Sequence, residues 1–152
     1  MAAFAAAAIA TFLLIIGGAT AFADGEASFL AQCAACHQPG GIGTPGLAPP
    51  IASDEIVRII GDPDGRAYVP LVVLNGLSGP IAVAGQRYVS AMPAQPDLTD
   101  EEIADIAGYV LVALNGARTD GAGPYTPAEV AALRATPVSH QDLQALRRRL
   151  VP

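Results

Sequence analysis

Cys33-Ala34-Ala35-Cys36-His37 is the stretch on which the rest of the chain turns. Two cysteines two residues apart, followed at once by histidine, form the attachment motif for c-type haem. The spacing has a chemical reason. Thiols one helical turn apart can add across the two vinyl groups of a haem, and the adjacent imidazole then lies beneath the iron as its proximal ligand. No other cysteine competes for the role. A redox-active Cys-x-x-Cys pair normally accompanies a βαβ pattern, which this sequence lacks. A structural zinc site needs about four ligands, and only His140 remains as a distant further candidate.

The composition limits what surrounds this motif. At 152 residues the chain holds one domain plus extras. Fourteen acidic residues against eight basic ones give a net charge of −6, which argues against nucleic acid or an anionic membrane surface as the main partner. Every basic residue is arginine and there is no lysine. Thirteen prolines and sixteen glycines imply a loop-rich fold, as wrapping a large prosthetic group requires.

Residues 1–23 carry no charged side chain. Ile9 to Ile16 is apolar, Gly17-Gly18 breaks the run, and Ala21-Phe22-Ala23 fits a small-x-small cleavage site before Asp24. The positive n-region of an export leader is missing apart from the amino terminus. About twenty apolar residues also suffice to span a bilayer, so a cleaved signal peptide and an N-terminal membrane anchor are both open. Either one places the cysteine-containing domain outside the cytoplasm, in the periplasm.

From Asp24 the pattern is helical, with Asp24 and Glu26 in the first turn, where carboxylates favour the helix dipole, and Phe29 and Leu30 leading into Cys33. Gln38 to Ala52 is rich in glycine and proline. Ser53 caps a short helix to about Ile60, Asp62-Pro63-Asp64-Gly65 is a turn, and a further helix runs to Asn75-Gly76. Val69, Val72, Val73 and Leu74 are its expected inner face, and Pro70 suits its first turn. A six-coordinate haem needs a distal ligand, and thioether favours the reduced iron of electron carriers. Met92, 55 residues after His37, is the only methionine besides Met1. Thr99-Asp100-Glu101-Glu102 reads as a capping box, opening a helix with Ile103, Ile106, Ala107, Val110 and Leu114 at helical spacing and Gly116 at its end. Gly108 costs about 1 kcal/mol there relative to alanine, which a close crossing or a haem contact would explain.

Together these features resemble the class I cytochromes c, over about Gly25 to Gly116. Gly25 and Phe29 lie eight and four residues before Cys33, where that family packs a small residue and an aromatic against its last core helix. Ile106 and Tyr109 match the partners on that helix. Leu47-Ala48-Pro49-Pro50-Ile51 is similar to the family's proximal loop. The resemblance implies that a carbonyl in the Pro49 region accepts the Nδ1 proton of His37, with Pro45 as the competing position. Met92-Pro93 matches the family's distal ligand and the proline after it. The stretch from Asn75 to Tyr88 resembles cytochromes that serve periplasmic dehydrogenases and copper nitrite reductases, although Val89 stands where those commonly have asparagine. Tyr88 and Arg87 are candidates for reaching the haem propionates, against the default of an exposed arginine.

Gly121-Ala-Gly-Pro124 is a linker. Thr126-Pro127-Ala128-Glu129 is a second capping box with proline at N1, and Ser139-His140-Gln141-Asp142 opens a last helix ending in Arg147-Arg148-Arg149. Three cations at a helix C-terminus are favourable by the dipole alone. This tail either packs on the haem domain or docks to a partner, and His140 reads as a surface residue.

The expectation is therefore an all-α protein with the class I cytochrome c fold. Residues 1–23 are leader or anchor, 24–116 the haem domain, and 117–152 a C-terminal two-helix extension. One covalent haem c would be held by Cys33, Cys36, His37, Pro49, Tyr88 and Met92, with His37 and Met92 on the iron. The protein would be an electron carrier rather than an enzyme, between redox proteins such as a dehydrogenase and a reductase or oxidase. The alternatives are a permanently bound cytochrome subunit of a larger oxidoreductase, and a haem enzyme or gas sensor with an open distal site.

Overall fold

The computed structural model describes residues 18–117 and 125–152, with side chains from residue 24 onward. Most of residues 1–23 and the linker around Gly121 lie outside the described residues. Helix α1 (Gly18–Gln32) begins before Asp24 and leads through Cys33 into the short α2 (Ala34–His37). A Gly/Pro-rich loop follows, then α3 (Asp54–Gly61), α4 (Tyr68–Asn75), strands β1 (Ile81–Val83) and β2 (Gln86–Tyr88), and α5 (Asp100–Gly108). Two more helices, α6 (Pro127–Arg134) and α7 (His140–Leu150), complete the chain. Among the described residues no helix is long and apolar enough to cross a membrane.

The core is organised by the crossing of α1 on α5. Gly25 makes that approach possible: a Cβ there would lie 2.4 Å from the Asp105 carbonyl oxygen and 3.0 Å from Tyr109 Cβ. One turn on, Phe29 is completely buried, and its ring sits 5.4 Å from that of Tyr109 at a tilt of 42°. Burying such a side chain stabilises the fold by roughly 1.5–3 kcal/mol, and a tilted aromatic pair adds about 0.5–1.5 kcal/mol. Thr99 and Glu102 close the capping box of α5 reciprocally, Glu102 N–H donating to Thr99 Oγ1 (3.2 Å) and Thr99 N–H to Glu102 Oε2 (2.8 Å).

Beyond the buried Gly108 this helix does not stay α. Tyr109–Leu114 is π-helical, a wider turn often found beside functional sites. Asn115 then ties the helix end to the proximal loop. Its Nδ2 donates to the Ile51 carbonyl (2.9 Å) and its Oδ1 accepts from Ser53 N–H (3.0 Å).

The α3 helix starts where expected, with Ser53 Oγ accepting from Ile56 N–H. In α4 the fully buried residues are Tyr68, Pro70, Leu71 and Val73, while Val69, Val72 and Leu74 are only partly covered. Val69 and Val72 instead help to wall a cavity. The one sheet described is the β1–β2 hairpin, antiparallel with Ile81 opposite Tyr88, Ala82 opposite Arg87 and Val83 opposite Gln86. Alternation sends Val83 and Tyr88 inward and Ala82 and Arg87 outward.

The tail lies against the rest of the molecule. Arg134 on α6 donates to Asp100 (2.7 Å) and to the Leu98 carbonyl (2.7 Å). The Arg66 guanidinium stacks 4.4 Å above the Tyr125 ring and pairs with Glu129. The Tyr125 hydroxyl donates to the Arg66 carbonyl (2.7 Å), and burial pushes its pKa up to about 12. On α7, Leu143 packs with Leu71 and Leu77 in a second apolar cluster.

Candidate haem site

Cys33 is half-buried, Cys36 exposed and His37 buried, all within one helical turn. The backbone explains the register: Cys33 N–H bonds Phe29 and His37 N–H bonds Cys33, so α1 carries its twist into the motif. Burial, with the neighbouring Cys36 charge, lifts the Cys33 thiol to about 11. It is therefore protonated at neutral pH.

After His37 the chain reverses sharply. Gln38 takes φ 62°, ψ 156°, a conformation few residues other than glycine adopt, costing about 1–3 kcal/mol. The reversal is held by Gly43 N–H donating to the His37 carbonyl (2.7 Å) and by Thr44, whose hydroxyl donates to the Cys36 carbonyl (2.8 Å). The loop that results carries Pro49 over the imidazole, and His37 Nδ1 lies 2.9 Å from the Pro49 carbonyl oxygen. A carbonyl can only accept, so the proton sits on Nδ1 and Nε2 keeps its lone pair for a metal. Burial lowers the His37 pKa, against the smaller opposing effect of the Pro49 bond, and favours the neutral ligand form.

Met92 is positioned from the other end of the chain. Leu77 N–H donates to the Met92 carbonyl (3.0 Å) and Met92 N–H to that of Leu77 (2.8 Å), an isolated antiparallel bridge. Gly76 allows it: at φ 72°, a Cβ there would fall 2.7 Å from the Met92 carbonyl oxygen.

Cys33, Cys36, His37, Pro49, Tyr88 and Met92 all line one cavity of about 260 Å³. On the same measure a single water needs only about 10–15 Å³, so this is a built pocket rather than a packing defect. Its walls are mainly Val, Ile, Leu and Pro side chains from α3, α4 and the proximal loop. An apolar slot with two thiols, an imidazole with a free lone pair and a thioether fits a covalent haem on every count of chemistry. Arg87 is exposed on the outer face of the hairpin and is not among the lining residues. His140 is exposed too. Its Nε2 contacts the Asn75 carbonyl (2.9 Å) and its Nδ1 the Ser78 hydroxyl, so it anchors α7 to the loop before Met92.

Sequence reasoning missed two contributors. Asn115 offered no motif, and Arg147, which lines the cavity from α7, was hidden in a run of three arginines.

Comparison with known proteins agrees with the geometry. Residues 20–110 match the family described as cytochrome c oxidase, cbb3-type, subunit III. A cytochrome c-552 of Thermus thermophilus is 42% identical over 140 residues, covering 91% of this chain and 93% of that protein. A further Thermus thermophilus cytochrome c-552 is 41% identical over 129 residues, covering 84% and 97%. With its haem motif seated in a helical, haem-shaped fold, the chain belongs to the monohaem class I cytochromes c, electron carriers with a covalently bound haem c.

Proposed function

We propose that the haem c of this protein is attached through Cys33 and Cys36, ligated by His37 and Met92, and used for outer-sphere electron transfer between redox proteins. The observation that carries this is the convergence of His37, oriented by the Pro49 carbonyl, and Met92, clamped by Leu77, on the cavity that the two thiols also line. With His37 and Met92 both holding the iron, no substrate would need to bind it. The Pro49 bond makes the imidazole more basic, which favours ferric iron, while the thioether favours ferrous. Tyr88, buried on the cavity wall, would offer its hydroxyl to a propionate.

Residues 1–23 direct export, the haem domain spans 24–116 and the extension 117–152, and the protein works in the periplasm. The net charge of −6 suits partners with a basic docking face. The matched family's description names a subunit of an oxidase, which favours a second reading as a permanently bound subunit. Membrane fractionation with and without detergent separates the two: a free carrier is recovered without detergent.

The first test is the absorption spectrum of the protein made with haem-attachment machinery, oxidised and reduced. The oxidised form should show the weak long-wavelength sulfur-to-iron band. Met92→Ala should abolish that band, keep the covalent haem and bind carbon monoxide. An unchanged spectrum in the variant refutes the axial assignment.

A further inference from the structure

We propose that Arg147, delivered by the C-terminal extension, is the buried counter-charge for a haem propionate, and that the extension thereby sets the reduction potential of the carrier. This rests on the haem occupying the cavity described above.

Among the described residues the buried side chains that can carry a positive charge are His37 and Arg147, the latter 6% exposed. Both line the same cavity. His37 has an assigned purpose, and Arg147 needs one. Burying a guanidinium costs several kcal/mol unless it is paired. The other arginines of the described structure are at least partly exposed; four of them, Arg58, Arg66, Arg134 and Arg149, pair with a carboxylate, whereas Arg147 makes no ion pair with any described residue.

Its protein partners are neutral. One N–H donates to the Ala82 carbonyl on β1 (3.1 Å), and the guanidinium charge lies near the buried Tyr68 hydroxyl, partly offsetting the upward push of burial on its pKa. A guanidinium has five N–H donors in a planar fork that matches a carboxylate. Glu55 feels the Arg147 charge but is committed elsewhere, its Oε1 accepting from Ala84 N–H at 2.8 Å and lying 3.9 Å from Arg58. Among the described residues no carboxylate lines the cavity, and Arg147 is its one permanently cationic lining residue. A haem brings two carboxylates into a mainly apolar slot, where an ionised propionate needs such a partner.

The helix is built to present this residue. Leu143, Arg147 and Leu150 follow at i, i+4 and i+7, one face of a helix. Leu143 is anchored between Leu71 and Leu77, and Leu150 packs on the main core. Arg148 and Arg149 turn outward, Arg149 pairing with Asp64 (3.1 Å). The triple arginine is thus divided: two cations serve the surface and one enters the site. One turn before Arg147, Gln144 donates to the Ser78 carbonyl (3.1 Å), which fixes the helix on the loop leading to β1.

A positive charge beside the propionate disfavours the more positive ferric haem, so its removal must lower the potential. In haem-loaded protein, Arg147→Gln should shift the ferric–ferrous equilibrium about tenfold toward ferric, a fall of about 59 mV for a one-electron couple. Arg147→Lys should recover most of the difference. A merely structural arginine predicts equal effects of lysine and glutamine, and that result, or an unmoved potential in folded Arg147→Gln, overturns the proposal. Should Arg147→Gln not accumulate, Arg147→Lys is compared with wild type by redox-difference infrared spectroscopy on haem labelled with ¹³C at the propionate carboxyls. Carboxylate bands that move support the pairing, and bands that stay put refute it. The two readings fail separately: a potential shift without a sulfur-to-iron band sinks Met92 and upholds Arg147, whereas the band without a shift sinks Arg147 alone.

Discussion

His37 Nδ1 and the carbonyl oxygen of Pro49 stand 2.9 Å apart, and that single bond depends on a glycine six residues after the histidine. Gly43 has φ 77°, and a Cβ there would lie 2.5 Å from Pro50 N and 2.7 Å from the Pro49 carbonyl carbon. Gly43→Ala should therefore push the proximal loop off the imidazole. The left-handed backbone alone costs about 1–2 kcal/mol. Loss of the carbonyl makes the imidazole less basic, so the midpoint potential should rise while the denaturation midpoint falls. Voltammetry and guanidinium titration read the two effects, and an alanine variant with wild-type potential contradicts the orienting role of Pro49.

The crossing of α1 on α5 predicts a second glycine phenotype. Gly25→Ala gains about 1 kcal/mol in helix propensity but meets Asp105 O at 2.4 Å, which is backbone and cannot rotate away. Separation of the helices also loosens Phe29 from Tyr109. Stability measured by denaturant should fall by about 1–2 kcal/mol net, within the usual range for overpacking.

The hairpin turn offers a stabilising change. Ala84 and Gly85 both have positive φ, 50° and 75°, as a two-residue type I′ turn requires. Alanine is the wrong residue there, whereas Asn-Gly is the preferred pair. Ala84→Asn should raise stability by about 1 kcal/mol, visible as a higher melting temperature with unchanged potential.

Part of the acid sensitivity should arise at the same turn. The Ala84 N–H donated to Glu55 holds that carboxyl below its ordinary value, with a smaller opposing effect of burial. A depressed folded pKa means stability that is fully present above the unfolded value of about 4.3 and lost as pH falls through the folded one. Glu55→Ala should cost about 1 kcal/mol at pH 7. The gap between variant and wild type should close below the carboxylate range, and a pH series of unfolding curves checks this.

Local signals account for much of what was legible in advance. The capping boxes at Thr99 and Thr126 declare themselves because an N-cap and its N3 partner are three residues apart and bond within their own turn. The pairing of Gly25 and Phe29 with Tyr109 was readable only by likeness to a family, since residues of one helix say nothing about which other helix they meet. The π-helical turn at Tyr109–Leu114 and the hairpin at Ile81–Tyr88 left no trace, because packing against neighbours, not propensity, selects them.

By itself, then, the amino-acid order determined the covalent chemistry. Two thiols and an imidazole inside five residues can serve one haem whatever the rest does, and Met92 as the one methionine besides Met1 narrows the distal choice. Tertiary structure alone decided which carbonyl faces His37, with Pro49 rather than Pro45 at hydrogen-bonding distance. It alone decided which arginine enters the cavity, Arg147 from the last helix rather than Arg87 from the hairpin. The reason is common to both. A ligand motif is written in adjacent residues, whereas the placement of a loop carbonyl or a guanidinium is the sum of contacts between segments far apart in the chain, and no local pattern records that sum.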